Sequence, residues 1–212
     1  MITFKKGKKM RLIKKLMCSV VFIVTLIFFS GCTAIVRPTI SQSEFLTNEE
    51  KVPATVVLHI TQEFINYTYK HFDWVSDAKN YAIKVGPLTS DWLRYALESK
   101  INTVLIKSGK PQFTESSSNV DLLITPRFTS FKAGGPLPVK FEQYWVDIGM
   151  EVTLQDSQGR ILETLKLQQK GSKAGSIRLE SGTQIYPEVC RMAIKPMVDK
   201  TVDKVIELVT QN

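Results

Sequence analysis

The chain has 212 residues and carries 28 Lys and Arg against 20 Asp and Glu, a net charge of +8 with a pI near 9.3. Seven of the cations (Lys5, Lys6, Lys8, Lys9, Arg11, Lys14 and Lys15) stand at the very start, in a stretch without acidic residues. Setting that stretch aside leaves 21 basic against 20 acidic residues, so no basic stripe remains for a nucleic-acid or polyanion partner.

Behind the basic block, Leu16 to Phe29 is almost wholly apolar. A helix crossing the hydrocarbon core needs roughly 20 apolar residues. These 14 are too few to span comfortably, and they match the apolar core of a secretory signal. The run ends in Phe29-Ser30-Gly31-Cys32, two small residues before a cysteine. This tetrapeptide resembles a bacterial lipobox, with Phe29 where that motif prefers Leu, Val or Ile. The resemblance implies cleavage between Gly31 and Cys32 and acyl chains on Cys32, palmitate among them. It also implies a membrane anchor, and, with Thr33 rather than Asp next, the periplasmic face of the outer membrane. An uncleaved signal anchor with an incidental Cys32 and an ordinary signal peptide are the competing readings.

The remainder divides into a polar segment, 32–52, expected to tether the protein to the membrane, and a single domain over 53–212. "ATVVLHITQEF" alternates at period two and predicts a strand over 54–62, with His59 opposite Val56, Leu58 and Ile60. "YKHFDWVSDAKN" reads as a loop and "YAIKV" as a short strand. Leu93, Ala96, Leu97, Ile101, Val104 and Leu105 then recur at spacing three and four, which predicts a helix over 89–107, capped by Thr89 or Ser90. Gly109 and Pro111 close it.

Three alternating runs follow, at 121–133, 144–155 and 160–171. Pro126 predicts an edge or a bulge in the first, and "DSQG" joins the other two as a hairpin with Gly159 at positive φ. Val189, Ala193, Met197, Thr201, Val205 and Leu208 predict a last helix over 186–210, kinked at Pro196. The sum is an α+β two-layer sandwich: a mixed, mostly antiparallel sheet of four or five strands with two helices on one face. The element order, the "DWLRYALESKI" helix and the "DSQGRILETL" hairpin resemble small outer-membrane lipoproteins of the YajG-like and LptE-like type. That resemblance implies a non-catalytic partner in envelope assembly.

Catalytic and metal motifs are scarce. His59 and His71 stand singly, as expected of rim residues, with no HxH or HExxH spacing, and no G-x-S-x-G elbow occurs. Asp147 and Glu151 share a strand face about 13 Å apart, which suits solvated charges better than a catalytic pair. Cys190 reads as a small buried residue. No cofactor is expected. Trp74, Trp145, Phe72 and Tyr144, large aromatics among polar neighbours, are the expected anchors for another envelope protein. A carrier holding a lipid or glycolipid between sheet and helices is the alternative, and a periplasmic hydrolase the third reading.

Overall fold

The structure is a computed structural model describing residues 33–46, 50–73, 79–109, 120–135, 143–174 and 182–211, with side chains placed for all but 71–73 and 79. The fold is α+β, with two sheets. The larger holds five strands in the order β5-β2-β6-β7-β8: β2 (Val52–Ile60), β5 (Ile101–Ser108), β6 (Leu122–Gly134), β7 (Gln143–Gln155) and β8 (Ile161–Ala174). The smaller holds β1 (Thr33–Val36), β4 (Lys79–Lys84) and β3 (Thr68–Asp73) in the order β1-β4-β3. The helices are a single turn α1 (Gln62–Ile65), then α2 (Val85–Lys100) and the long α3 (Gly182–Gln211).

Strand β2 is the spine. Val56, Val57, Leu58, His59 and Ile60 are all buried, so both faces of its second half are covered. Its neighbours β5 and β6 both run parallel to it, as strands buried on both faces commonly do. The larger sheet is therefore mixed, parallel around β2 and antiparallel over its longer strands. Hairpin pairing governs the other half, β6-β7-β8. The expected turn is present: Gly159 has φ 79°, and Asp156 Oδ1 accepts from the Gln158 and Arg160 N–H at 2.9 Å.

Strand β6 pairs with β2 only through Leu122, Leu123 and Ile124, so Pro126 comes after the last β2 partner and its missing N–H costs no bond there. A register slip follows between Phe128 and Ser130. An extra residue reverses which side chains face inward. Phe128 stands opposite Met150, but Phe131 opposite Ile148 and Ala133 opposite Val146, so the inward set changes from even to odd numbers. Gly149 lies at that slip, where a Cβ would come within 2.4 Å of Ser130 Oγ and 2.6 Å of Thr129 Oγ1. On either side of the slip, β6 carries an aromatic row: Phe128 stacks on Phe64 at 4.6 Å and lies tilted against Tyr67 at 4.7 Å, and Phe131 meets Tyr69 at 4.7 Å. This row joins the small sheet to the large one.

Two sequence expectations are corrected. The stretch expected as a loop over 69–80 holds most of β3 and the start of β4, paired from Thr68–Lys84 to Asp73–Lys79. The helix expected over 89–107 runs over 85–100, and Ile101 to Ser108 is a strand. Thr89 and Ser90 lie inside the helix, donating to the carbonyls of Val85 and Gly86 at 2.9 Å. Pro87 fits the first turn because its N–H would have no helical partner. A glycine is required at 86, since a Cβ there would lie 2.2 Å from Phe64 O. Ile101 N–H closes the helix on Leu97 O, and the chain passes straight into β5.

The polar segment expected as a tether is also structured where described. β1 pairs into the small sheet, and a 3-10 turn spans Gln42–Phe45. Ser41 and Glu44 form a reciprocal capping box, Phe45 packs beside Trp92 and Tyr95, and Arg191 donates to both Glu44 oxygens at 2.6 and 2.8 Å.

Helix α3 runs antiparallel along β8, with Lys173 paired to Glu188 near its start and Lys204 to Glu163 near its end. It continues through Pro187 and Pro196 as one element. Ile185, Val189, Ala193, Met197 and Val205 fill the space over Val146, Ile148, Met150 and Val152, and α2 adds Leu93 and Leu97. The approach is closest at Gly171, where a Cβ would stand 2.1 Å from Val189 O.

Gly171→Ala should therefore destabilise the fold by about 1–3 kcal/mol, the usual cost of overpacking, because helix backbone cannot give way as a flexible side chain can. Leu97→Ala, in a position without solvent exposure, should cost about 2–5 kcal/mol through lost contact and cavity. Urea melts of the two variants check both values.

Candidate functional site

The sequence-derived site residues separate in space. Gly31, Cys32 and Trp74 lie outside the described residues. Phe72 has its backbone in β3 opposite Asn80, with its side chain outside the description. Tyr144 is fully buried, edge-on to Tyr186 at 5.4 Å, with Tyr81 on the other side of Tyr186 at the same distance. It belongs to the core, which corrects its reading as a surface anchor. Trp145 is half-buried on the opposite face of β7; its indole closes over Gly134 and has Lys170 Nζ 5.3 Å from the ring. The two neighbours in sequence thus point to different layers, as strand geometry demands.

The remaining chemistry-bearing groups are held structurally. His59 is 2% exposed rather than a rim residue. Its Nε2 donates to Gly109 O at 2.7 Å, since a carbonyl only accepts. Its Nδ1 is buried with no partner among the described residues. Asp147 accepts from Gln168 at 2.9 Å and Glu151 from Arg127 at 2.8 Å, so each carboxylate has its own partner across the sheet. Cys190 is buried, and that burial pushes its thiol well above the ordinary value.

What the fold presents to a partner is a sheet edge. β5 pairs with β2 on one side in a regular register from Thr55–Thr103 to Ile60–Ser108, and among the described residues no strand pairs with its other side. Leu105 is 42% and Ile106 46% exposed. As consecutive strand residues they point to opposite faces, so the edge is apolar on both. Across its eight residues β5 has no proline and one charge, Lys107. The opposite edge, β8, carries Glu163, Lys166, Lys170 and Lys173. Charges, prolines and bulges are what keep a sheet edge from pairing with another chain. By that measure β8 is guarded and β5 is open.

Two clefts flank β5. One, of about 380 Å³, lies between it and the 3-10 turn, lined by Phe45, Leu46, Tyr95, Glu98, Asn102 and Val104. The other, of about 160 Å³, lies under Leu58, Ile60, Ile65 and Ile106, with Asp91 and Arg94 also lining it. Ligand sites for drug-sized molecules run to about 300–1,000 Å³ and are mostly apolar. The first cleft has the volume and a mixed polar lining; the second has an apolar lining and too little volume. Both have room for side chains projecting from a strand laid along β5. Among the described residues no helix is long and apolar enough to cross a membrane.

No protein-family model matches the chain, and no curated protein matches it in sequence. Solved structures share part of its course. The hypothetical protein CT253 from Chlamydia trachomatis aligns over 76% of this chain and 100% of its own at 8% identity, with a TM-score of 0.47. A minor lipoprotein from Acinetobacter baumannii aligns over 73% and 92% at 12% identity, with a TM-score of 0.42. Lipoprotein GNA1162 from Neisseria meningitidis aligns over 73% and 99% at 10% identity, with a TM-score of 0.31. These are distant likenesses, and they assign neither a family nor a function to this chain.

A thiol reagent should leave Cys190 unmodified in the folded protein at neutral pH and modify it once urea unfolds the chain, since thiolate is the reacting form. Absorbance with a chromogenic disulfide reagent checks this.

Proposed function

We propose that the chain is a non-catalytic, lipid-anchored lipoprotein of the cell envelope that holds another envelope protein by strand addition at β5. The observation that carries the docking half is the unguarded edge itself: a regular strand, apolar on both faces, with no second strand partner among the described residues. Strand addition draws affinity from main-chain hydrogen bonds and specificity from pockets for alternate side chains, and the two clefts beside β5 supply such pockets. The near-neutral balance after residue 31 accords with contact through apolar and backbone groups rather than charge steering. The lipid half rests on the lipobox-like Phe29-Ser30-Gly31-Cys32 behind a 14-residue apolar run.

A photo-crosslinking residue placed at Thr103 in living cells should trap an envelope protein, whereas one at Lys166 on the β8 edge should not. Guarding the edge with Leu105→Lys and Ile106→Glu should weaken capture by at least about 2 kcal/mol, roughly thirtyfold, while leaving the melting temperature unchanged. Equal crosslinking at both edges would remove β5 as the docking site. Raising salt should alter binding little, because few charged contacts would be screened.

Cys32→Ala should leave the protein unprocessed or free of the membrane, since the acyl chains need the sulfur. Mass spectrometry of the mature N-terminus checks it, and a peptide in which unmodified Cys32 is still joined to Gly31 would end the lipoprotein reading.

A further inference from the structure

The sequence separates the lipidation point from the fold by nothing at all. Cys32 is bonded to Thr33, and Thr33 is the first residue of β1. β1 belongs to the small sheet, with Val36 buried and Ala34 packed against the core. Ile35, between them, points the other way and is 52% exposed. Three residues of extended chain span at most about 11 Å. The polar layer on each side of a bilayer is roughly 5–8 Å thick, and a lipidated cysteine has its acyl chains in the hydrocarbon. With a flexible tether the domain could stand well clear of that layer. Without one, Ile35 is held at its level by covalent geometry.

The surface that shares this level suits the position. Cross-strand partners share a face. Lys70 pairs with Ala82 and Thr68 with Lys84, while Tyr81 and Ile83 of β4 turn to the core. Ile35, Lys70 and Lys84 therefore lie on the outer face of the small sheet, and exposed Arg37 follows β1 directly. By sequence β1, β3 and β4 together carry three lysines, Lys70, Lys79 and Lys84, against one acid, Asp73. Juxtamembrane cations beside an apolar side chain fit anionic headgroups.

We propose that the acylated protein sits flush on the membrane, with the outer face of the small sheet seated on the headgroups of an anionic phospholipid bilayer, Ile35 at the contact and Lys70 and Lys84 beside it. The proposal rests on lipidation of Cys32. The strand that follows that residue acts as a rigid mount rather than a tether, so it fixes which face of the domain is turned from the membrane and offered to partners.

The test uses the acylated protein in vesicles of phosphatidylethanolamine and phosphatidylglycerol. Mass spectrometry first establishes the lipid on Cys32. An environment-sensitive fluorophore is then placed at Ile35→Cys, at Thr33→Cys as a second position should the first disturb β1, and at Ile161→Cys on the exposed β7-β8 hairpin. Cys190 is buried and does not compete for the label. Headgroup-level nitroxide lipids should quench positions 35 and 33 on the order of threefold more than 161, as interfacial seating requires. A flexible Gly-Ser insert between Cys32 and Thr33, which lets the ends move apart, should lower that ratio, and Lys70→Glu with Lys84→Glu should lower it further. Equal quenching at 35, 33 and 161 in protein of proven acylation would overturn the seating and leave the anchor standing. An N-terminus without lipid would remove the anchor, and the seating with it. Fluorescence at 35 that follows protein density in the bilayer rather than the quencher lipid would show a second copy on this face and also overturn the proposal.

Discussion

Burial of β2 on both faces is the constraint on which the rest of the molecule hangs. A strand covered above and below takes its neighbours on either edge, and here both run parallel to it. Parallel neighbours cannot be joined by a tight turn; each needs a crossover. The crossover from β2 to β5 contains α1, β3, β4 and α2, so the small sheet and the first long helix are both products of one pairing decision. That decision also sends β5 to the outside of the sheet. The hairpins β6-β7-β8 fill the other side, and α3 covers them.

Close backbone approaches hold these layers in place. Gly86 lets the start of α2 meet the carbonyls of α1, Gly171 lets α3 lie on β8, and Gly149 admits the slipped segment of β6. At each position the room for a side chain has been taken by a neighbour, which spreads the requirement for packing precision over all three contacts. Surface ion pairs such as Arg191–Glu44 and Lys204–Glu163 add little by comparison, since exposed pairs are generally worth about 0–1 kcal/mol.

The two surfaces argued for function follow from the same topology. Among the described residues β5 has no second neighbour, because β2 has its other neighbour on the far side, and the edge carries one charge, Lys107. The small sheet receives β1, so the chain is paired into a sheet from Thr33 onward. The proposed docking edge and the proposed membrane face belong to different sheets.

Local pattern was sufficient wherever neighbouring residues decide the outcome. The alternation in β7 and β8, the Asp156–Gly159 turn, the stripe of α3 and the second half of α2 all record which side of a backbone is apolar, and that is written at period two or near three and a half. The charge balance is legible for the same reason, being a property of composition. The sequence misled where a segment satisfies both periods. Ile101, Val104 and Leu105 continue the stripe of α2, yet Ile101, Thr103, Val104 and Ile106 are also a β-branched run, and seven pairings with β2 settled it as strand. Burial of His59 and Tyr144 depended on what lies across from them, which no local window contains. The same holds for the polar segment after Cys32, whose Phe45 and Glu44 find partners in α2 and α3 far along the chain. The sequence by itself determined which faces are apolar and where the chain turns. The tertiary structure alone decided which strand lies at the edge among the described residues and that the segment from Thr33 pairs into a sheet, because both depend on pairing between segments distant in the chain.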